Sequence, residues 1–427
     1  MEGGGALGRP YLAAVRFIHT ADWHLGQTLL GRSRRDEQAA ALDWLYETAL
    51  AREADGMIVA GDVFDVASPA EDARKLYYDF LARLGRSPLS WVVVVAGNHD
   101  SARMLSNVEG FARQFDIHIV ARPSEDCAED LIPLRRSPRG EVEGVVAAVP
   151  FLQEAFVRRA RAGESPAEAE EALAAGVHAH FDRLDEACAV AHPGVPRIAT
   201  GHLYASGASA REGQDNIYVG NVRNLDAGRL PRGFDYVALG HIHRPQCLRG
   251  ADHVRYSGSL IALDFAECRD EKGAWCVDLA GPGEAPAAEW VASPTTRRLK
   301  QFGGEVDEVA AAIEAFGERH RGDALRPWAE VELAAGFADH KARERLRSLG
   351  EDCGVEILKF TRRRSNAGGG ATATPPPERL DELSVEEVFR RRIAAAELDR
   401  ETAARIDRLF RGALDAARVE QAPEAAA

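Results

Sequence analysis

Paired cysteines, long apolar runs and a basic surplus are all missing from this 427-residue sequence. Its six cysteines (Cys127, Cys188, Cys247, Cys268, Cys276 and Cys353) form no CxxC pair. That spacing speaks against a zinc ribbon or a disulfide framework and reads as reduced thiols. No apolar run approaches the ~20 residues a bilayer span requires. The opening MEGGGALGRPYLAAV lacks both a basic n-region and a continuous apolar h-region, so no secretory signal is expected and the cytoplasm is the default compartment. A formal net charge of −14 argues against wholesale coating of nucleic acid. A local basic groove helped by bound cations stays compatible with it.

Residues 1–14 are rich in Gly and Ala and are expected to be a disordered extension, with the native start near Val15. Beyond them, short β-branched runs alternate with helical patterns. MIVAGDVFD (57–65) and WVVVVAGNHD (91–100) read as buried strands, and helices are expected over 34–52 and 71–84. This alternation implies βαβ units and a largely parallel sheet, in which functional residues gather at the carboxyl ends of strands. Further strands are expected at 117–120, 144–151, 197–203 and 235–244, with one or two helices over 152–191. HVRYSGSLI (253–261) and AWCVDL (274–279) read as closing strands of a second sheet. A turn-rich break at 281–286 suggests the end of the first domain. Then comes a small α+β unit with strands near 295–302, 328–334 and 355–361 and helices over 306–320 and 339–350. SNAGGGATATPPP (365–377) is a Gly-then-Pro linker. Ser384 and Glu387 form a capping-box pattern at the start of a helix, and a second helix is expected over 399–419.

Polar residues recur after the apolar runs. FIHTADWHLG (17–26) places Asp22 and His24 two residues apart, so that in an extended turn both point the same way. Alone, that pair reads equally as a capped turn. Asp62, Asn98, His99, His202, His241 and His243 stand at comparable positions after other strands. Carboxylate, imidazole and amide suit Mn²⁺, Fe²⁺ or Zn²⁺, and no cysteine is placed to help. Asp62, after a buried strand and a glycine, is the natural bridge between two ions. Such a pair activates water and clamps an in-line phosphoryl displacement, which makes metal-assisted phosphoester hydrolysis the expected reaction.

The ordered set Asp22-x-His24, Gly61-Asp62-x-x-Asp65, Gly97-Asn98-His99-Asp100, Gly201-His202 and Gly240-His241-x-His243 resembles the calcineurin-like metallophosphoesterases. That resemblance implies one ion on Asp22, His24, Asp62 and His243 and another on Asp62, Asn98, His202 and His241. It implies that His99 is no ligand but protonates the leaving oxygen, with Asp100 orienting it; imidazole suits proton transfer near neutral pH. Some relatives carry histidine where Asp65 stands, so Asp65 receives no catalytic role. Within the superfamily, HTADWHLGQ, VAGDVFD, VAGNHDS, ALGHIHR, HVRYSGS and LDELSVEEVF resemble the nuclease subunits of bacterial coiled-coil ATPase complexes.

Taken so, the fold class is an α/β metallophosphoesterase β-sandwich flanked by helices in four layers. The implied domains are a nuclease domain (15–285), a DNA-capping α+β domain (286–365), a linker (366–378) and helices (379–420) that bind the ATPase subunit. The implied cofactor is two Mn²⁺ ions, with Fe²⁺ or Mg²⁺ as alternatives. ATP-dependent double-strand exonuclease, single-strand endonuclease and hairpin-opening activities follow, in a nucleoid-associated homodimer within a heterotetramer. The rival reading is a phosphatase or phosphodiesterase for small phosphoesters. Phosphoprotein phosphatases extend the second motif with Arg-Gly and end the third in Glu, whereas Val63-Phe64-Asp65 and Asp100 stand here. DNA-contact candidates are Arg32, Arg34 and Arg35, Arg135 and Arg136, Arg158, Arg159 and Arg161, and Arg362 to Arg364. Phe389 and Ile393 are the candidate anchors on the partner helix. His19 reads as a sheet residue, and His178 and His180 as solvated positions on a polar helix.

Overall fold

The computed structural model of the chain describes residues 15–159, 161, 163–206, 208, 225, 229, 233–334, 340–362 and 410. The chain opens with β1 (Val15–Thr20), a small hairpin of β2 (Thr28–Leu29) and β3 (Arg32–Ser33), α1 (Arg35–Ala51), β4 (Gly56–Ala60) and α2 (Glu71–Leu84). It continues through β5 (Trp91–Val95), α3 (Ala102–Ser106), α4 (Glu109–Ala112), β6 (Ile117–Val120), β7 (Leu131–Leu134) and β8 (Gly144–Ala147). Next come α5 (Glu154–Val157), α6 (Pro166–Ala191), β9 (Arg197–His202), β10 (Tyr236–Gly240), β11 (Gln246–Leu248) and β12 (Ala251–Tyr256). The remaining elements are β13 (Gly273–Leu279), β14 (Ala287–Ala292), β15 (Leu299–Gly304), α7 (Val306–Arg319), β16 (Trp328–Leu333), α8 (His340–Asp352) and β17 (Glu356–Arg362).

Two six-stranded sheets carry the large body, in the orders β14-β13-β1-β4-β5-β6 and β11-β12-β10-β9-β8-β7. In the first, β1, β4, β5 and β6 are mutually parallel; in the second, β8, β9, β10 and β12 are. Parallel strands must be covered on both faces, and β1, β4, β5 and β10 are buried at every position. Phe17, Ile58 and Val93 of the first sheet meet Val146, Ile198 and Ala238 of the second in one apolar cluster. The other face of the first sheet packs on α1 and α2 through Leu45, Tyr77 and Phe80, and that of the second on α6 through Phe181 and Leu184. Truncating a fully buried anchor such as Leu45 to alanine would cost about 2–5 kcal/mol.

Three expectations need correction here. The strand over 274–279 forms as β13, yet it joins the first sheet, pairing antiparallel with β1 from Val15↔Leu279 to His19↔Trp275. Its apolar period suits either sheet, so only the pairing decides. The turn at 281–286 does not end that sheet, because β14 returns along β13. The small unit has its own parallel sheet, β15-β16-β17, with α7 and α8 closing a cluster around Ile313, Val331 and Leu346. His178 and His180 are likewise not solvated: both are buried on α6, beside the core residues Val177 and Phe181. The chain divides into two compact units, Met1–Arg364 and Ser365–Ala427. Of the second unit only Phe410 is described, so the expected helices over 379–420, with Phe389 and Ile393, lie outside the described residues, as does the extension over 1–14. Among the described residues no helix is long and apolar enough to cross a membrane.

Candidate metal centre

Every candidate ligand sits just past, or at the end of, a strand. Asp22 and His24 follow β1, Asp62 follows β4, Asn98 and His99 follow β5, His202 ends β9, and His241 and His243 follow β10. The first two loops are zipped together by backbone: Asp22 N donates to Gly61 O (3.0 Å), His24 N to Asp62 O (3.0 Å) and Leu25 N to Val63 O (2.9 Å). Trp23 is buried between the pair, its indole donating to Thr20 Oγ1 (2.9 Å) and packing edge-on against Phe80. The turn is not extended as expected. Asp22 (φ 52°), His24 (φ 45°), Asp62 (φ 49°) and His241 (φ 94°) are four of the seven non-glycine residues with positive φ among the described residues. Such strained conformations persist only where surrounding structure enforces them, and they concentrate at functional sites. Gly97 shows how tight the enclosure is, since a Cβ there would lie 2.1 Å from Asp62 Oδ1.

Two ligand groups meet at this point, Asp22, His24 and His243 in one and Asp62, His202 and His241 in the other, and a third set, His24, Asp65 and His99, shares His24 with the first. Asp62 Oδ2 stands 3.2 Å from His202 Nε2 and 3.6 Å from His24 Nε2, so it faces both groups. Asn98 Oδ1 lies 3.1 Å from His202 Nε2 and 3.0 Å from His241 Nδ1. Asp22 accepts from the His241 backbone N–H (2.9 Å), which ties the groups together. Asp22, His24, Asp62, His202 and His241 are buried, whereas Asn98, His99 and His243 are half-buried at the mouth. His19 is buried between the sheets, its ring bonded to the Tyr236 hydroxyl and Leu239 carbonyl, and it belongs to neither group.

The electrostatics follow from two buried carboxylates among imidazoles. Burial pushes Asp22 above the ordinary carboxylate range, against the pull of His202, His243 and His24. Burial acts on Asp62 in the same sense, but His202, His24 and His99 together hold it well below that range. Burial opposes charge on His24 and His202, yet the neighbouring carboxylates raise them to about 8 and about 9. Neither buried ring nitrogen of His24 makes a hydrogen bond; Nδ1 faces Asp65 Oδ1 at 3.3 Å. Buried polar atoms without partners are costly and call for an explanation. A divalent cation supplies one, and the donor set of oxygen and imidazole nitrogen without thiolate suits Mn²⁺, Fe²⁺ or Zn²⁺. The residues present therefore fit a pair of divalent cations.

His99 belongs to the third set, with His24 and Asp65, its ring 4.9 Å from that of His24. Its Nδ1 is bonded to the Asp65 carbonyl (2.7 Å) and its backbone N–H donates to Asp62 Oδ1 (2.9 Å). Asp100 does not do the orienting expected of it. Its carboxylate accepts from the backbone N–H groups of Gly97 (2.9 Å), Val63 (3.1 Å) and Phe64 (2.9 Å), stapling two loops together. Burial and the charge of Asp62 raise Asp100 to about 6 against those three bonds. The orienting group for His99 is thus Asp65, through its backbone, which no side-chain pattern could reveal. Among the arginines proposed for DNA contact, Arg34 is fully buried, bonded to Glu37 and the Ala262 carbonyl. Arg136 is held by Asp55 and Glu143, Arg135 reaches the Gly140 carbonyl, and Arg158 is clamped by Glu154 and Glu164. Arg32 pairs with Glu356 of the small unit (2.7 Å). Arg35, Arg159, Arg161 and Arg362 remain as exposed candidates, and Arg363 and Arg364 lie outside the described residues.

The calcineurin-like phosphoesterase family model matches residues 15–245, the span that holds every candidate ligand. A second model, the type 5 capsule protein repressor C-terminal domain, matches residues 295–397. The SbcD subunit of the SbcCD nuclease from Escherichia coli (strain K12) is 35% identical, covering 93% of this chain and 97% of its own length. The chain belongs to the calcineurin-like phosphoesterases, in the SbcD family of SbcCD nuclease subunits. Further members of that family resemble it as well. The SbcD subunit from Rhodobacter capsulatus is 33% identical over 88% of this chain and 93% of the relative. Its counterpart in the Bacillus subtilis SbcCD nuclease is 34% identical over 78% and 82%. In this chain the five motifs converge on one mouth of the two-sheet body.

Proposed function

We infer that this chain is a metal-dependent nuclease, the SbcD component of an SbcCD-type complex, hydrolysing DNA phosphodiesters. The observation that carries the reading is Asp62, facing His24 on one side and His202 on the other, with His99 at the mouth. Asp22, His24, Asp62 and His243 would hold one ion, and Asp62, Asn98, His202 and His241 the other. When bound, such a pair supplies an activated water and stabilises the charge that builds up during in-line displacement. Mn²⁺ is the proposed cation, with Fe²⁺ or Mg²⁺ as alternatives. His99 is the proposed general acid. With Nδ1 committed to the Asp65 carbonyl, Nε2 is the atom free to deliver a proton to the leaving oxygen. Asp100 serves this centre by holding the loops of Val63 and Gly97 together.

We further propose the four-layer arrangement of α1 and α2, the two sheets and α6, with the nuclease domain running from residue 15 past the expected boundary at 285 to include β14. The α+β unit built on β15, β16 and β17, within the expected 286–365, is proposed to cap the DNA, and the segment over 379–420, beyond the 366–378 linker, to dock SbcC. The apolar face where Phe111 and Phe115 stand exposed beside α2 supports a homodimer within a heterotetramer. ATP-gated double-strand exonuclease, single-strand endonuclease and hairpin opening, in DNA end processing, repair, recombination and replication, complete the proposal. The test is a Mn²⁺-dependent assay on linear duplex and hairpin DNA with and without SbcC and ATP. Cleavage that depends on Mn²⁺ is expected; rapid hydrolysis of small phosphoesters with intact DNA would overturn it.

A further inference from the structure

Behind the half-buried His243 lies a charged pair that no motif marked. Glu267 ends a short 3₁₀ turn, Phe265–Glu267, capped by Asp264. Its Oε1 receives His243 Nδ1 at 2.9 Å. Its Oε2 accepts from Lys272 Nζ (2.6 Å), the Leu263 N–H (3.0 Å) and Ser259 Oγ (3.4 Å). Lys272 Nζ in turn donates to Ser259 Oγ (2.8 Å) and to the carbonyl of His243 itself (2.9 Å). Glu267 and Lys272 are only 5% and 8% exposed, which decides against a surface ion pair. A buried ion pair is weak evidence for stability, because desolvation offsets its attraction. This one grips a single candidate ligand twice, by ring and by backbone.

The consequence is geometric. A carboxylate on Nδ1 makes that nitrogen the donor and leaves Nε2 as the lone pair available to the group with Asp22 and His24. His202 is held differently, its Nδ1 bonded to the neutral Ala60 carbonyl (2.8 Å). We propose that Glu267, balanced by Lys272, is the positioning residue that fixes the His243 tautomer and sets the affinity of the ion shared with Asp22 and His24. The proposal rests on the two-ion reading of the site, and its test keeps the two apart.

Full-length, metal-free wild type, E267Q and E267D are titrated with Mn²⁺, with circular dichroism and melting recorded on each. Wild type should bind two ions; fewer would overturn the two-ion reading and this inference with it. E267Q should bind one ion as wild type does and the other about 10–100-fold more weakly, the scale of losing a carboxylate behind a ligating histidine. E267D should recover part of that loss. If E267Q binds both ions like wild type, or loses both equally, the positioning role is refuted. Should E267Q fail to fold, histidine ¹⁵N spectra of the metal-free wild type at alkaline pH decide, with His243 assigned by its loss in H243A. The Nδ1–H tautomer is expected, and the Nε2–H tautomer would overturn the proposal.

Discussion

The two halves of the metal centre are built on different terms. Around Asp62, the His202 ring is locked on both nitrogens, by the Ala60 carbonyl and by Asn98 with Asp62, before any cation arrives. Around Asp22, the His24 ring is equally buried yet makes no hydrogen bond, and its neighbour His243 is steadied from behind by Glu267. One half is satisfied by hydrogen bonds; in the other, the His24 nitrogens meet Asp65 and Asp62 only at the longer distances of 3.3 and 3.6 Å. The contrast explains why strain gathers here. Positive φ at Asp22, His24 and Asp62 brings two loops close enough for one carboxylate to face both halves.

The strongest way to break this arrangement is at the shared carboxylate. D62N should lose at least one Mn²⁺ per chain and lower DNA cleavage by about a thousandfold, the scale of several kcal/mol of transition-state stabilisation. Metal analysis alongside a cleavage assay reads both effects. The difference between the halves is sharpened by comparing H202A with H24A in metal-free protein. H202A strands the Ala60 carbonyl and Asn98, whereas H24A removes a ring held only by the longer ion pairs to Asp65 and Asp62. Urea unfolding should therefore show H202A less stable than H24A by about 1–3 kcal/mol. Equal losses would erase the distinction.

The smallest effect concerns His19, which shares β1's end with the centre but none of its chemistry. Burial lowers it from 6.5 to about 3, against a bond to the Leu239 carbonyl. Its folded-state value is depressed, so the unfolded chain takes up the proton first. The stability it contributes is complete above about 6.5 and is lost as pH falls from there towards 3. One pH unit below the ordinary value the loss is about 1 kcal/mol. H19Q should flatten that acid limb, measured by denaturation at a series of pH values.

Much of this was legible in the sequence because the strands announce themselves. VVVV before Gly97-Asn98-His99 and VALG before His241 carry no competing helical period, and α2 forms over the expected 71–84. The ligand candidates were legible for the same reason, standing where parallel strands end. What was not legible depends on contacts distant in sequence. The apolar pattern of β13 suits either sheet. The burial of Arg34 depends on the Ala262 carbonyl, 228 residues away. The polar composition of α6 hides the burial of His178 and His180. Asp65 orients His99 through a carbonyl that every residue possesses, while the Asp100 side chain is spent on three backbone N–H groups. Glu267 lies outside every motif, and only the fold brings it to His243.

The division between residues that hold metal and the residue that moves a proton is tested most directly in H99A. Bound Mn²⁺ and cleavage of linear duplex DNA should be measured on the same preparation. Two ions per chain, with cleavage reduced by about a hundredfold or more, is the expected result. Loss of an ion together with the activity would contradict it and make His99 a ligand.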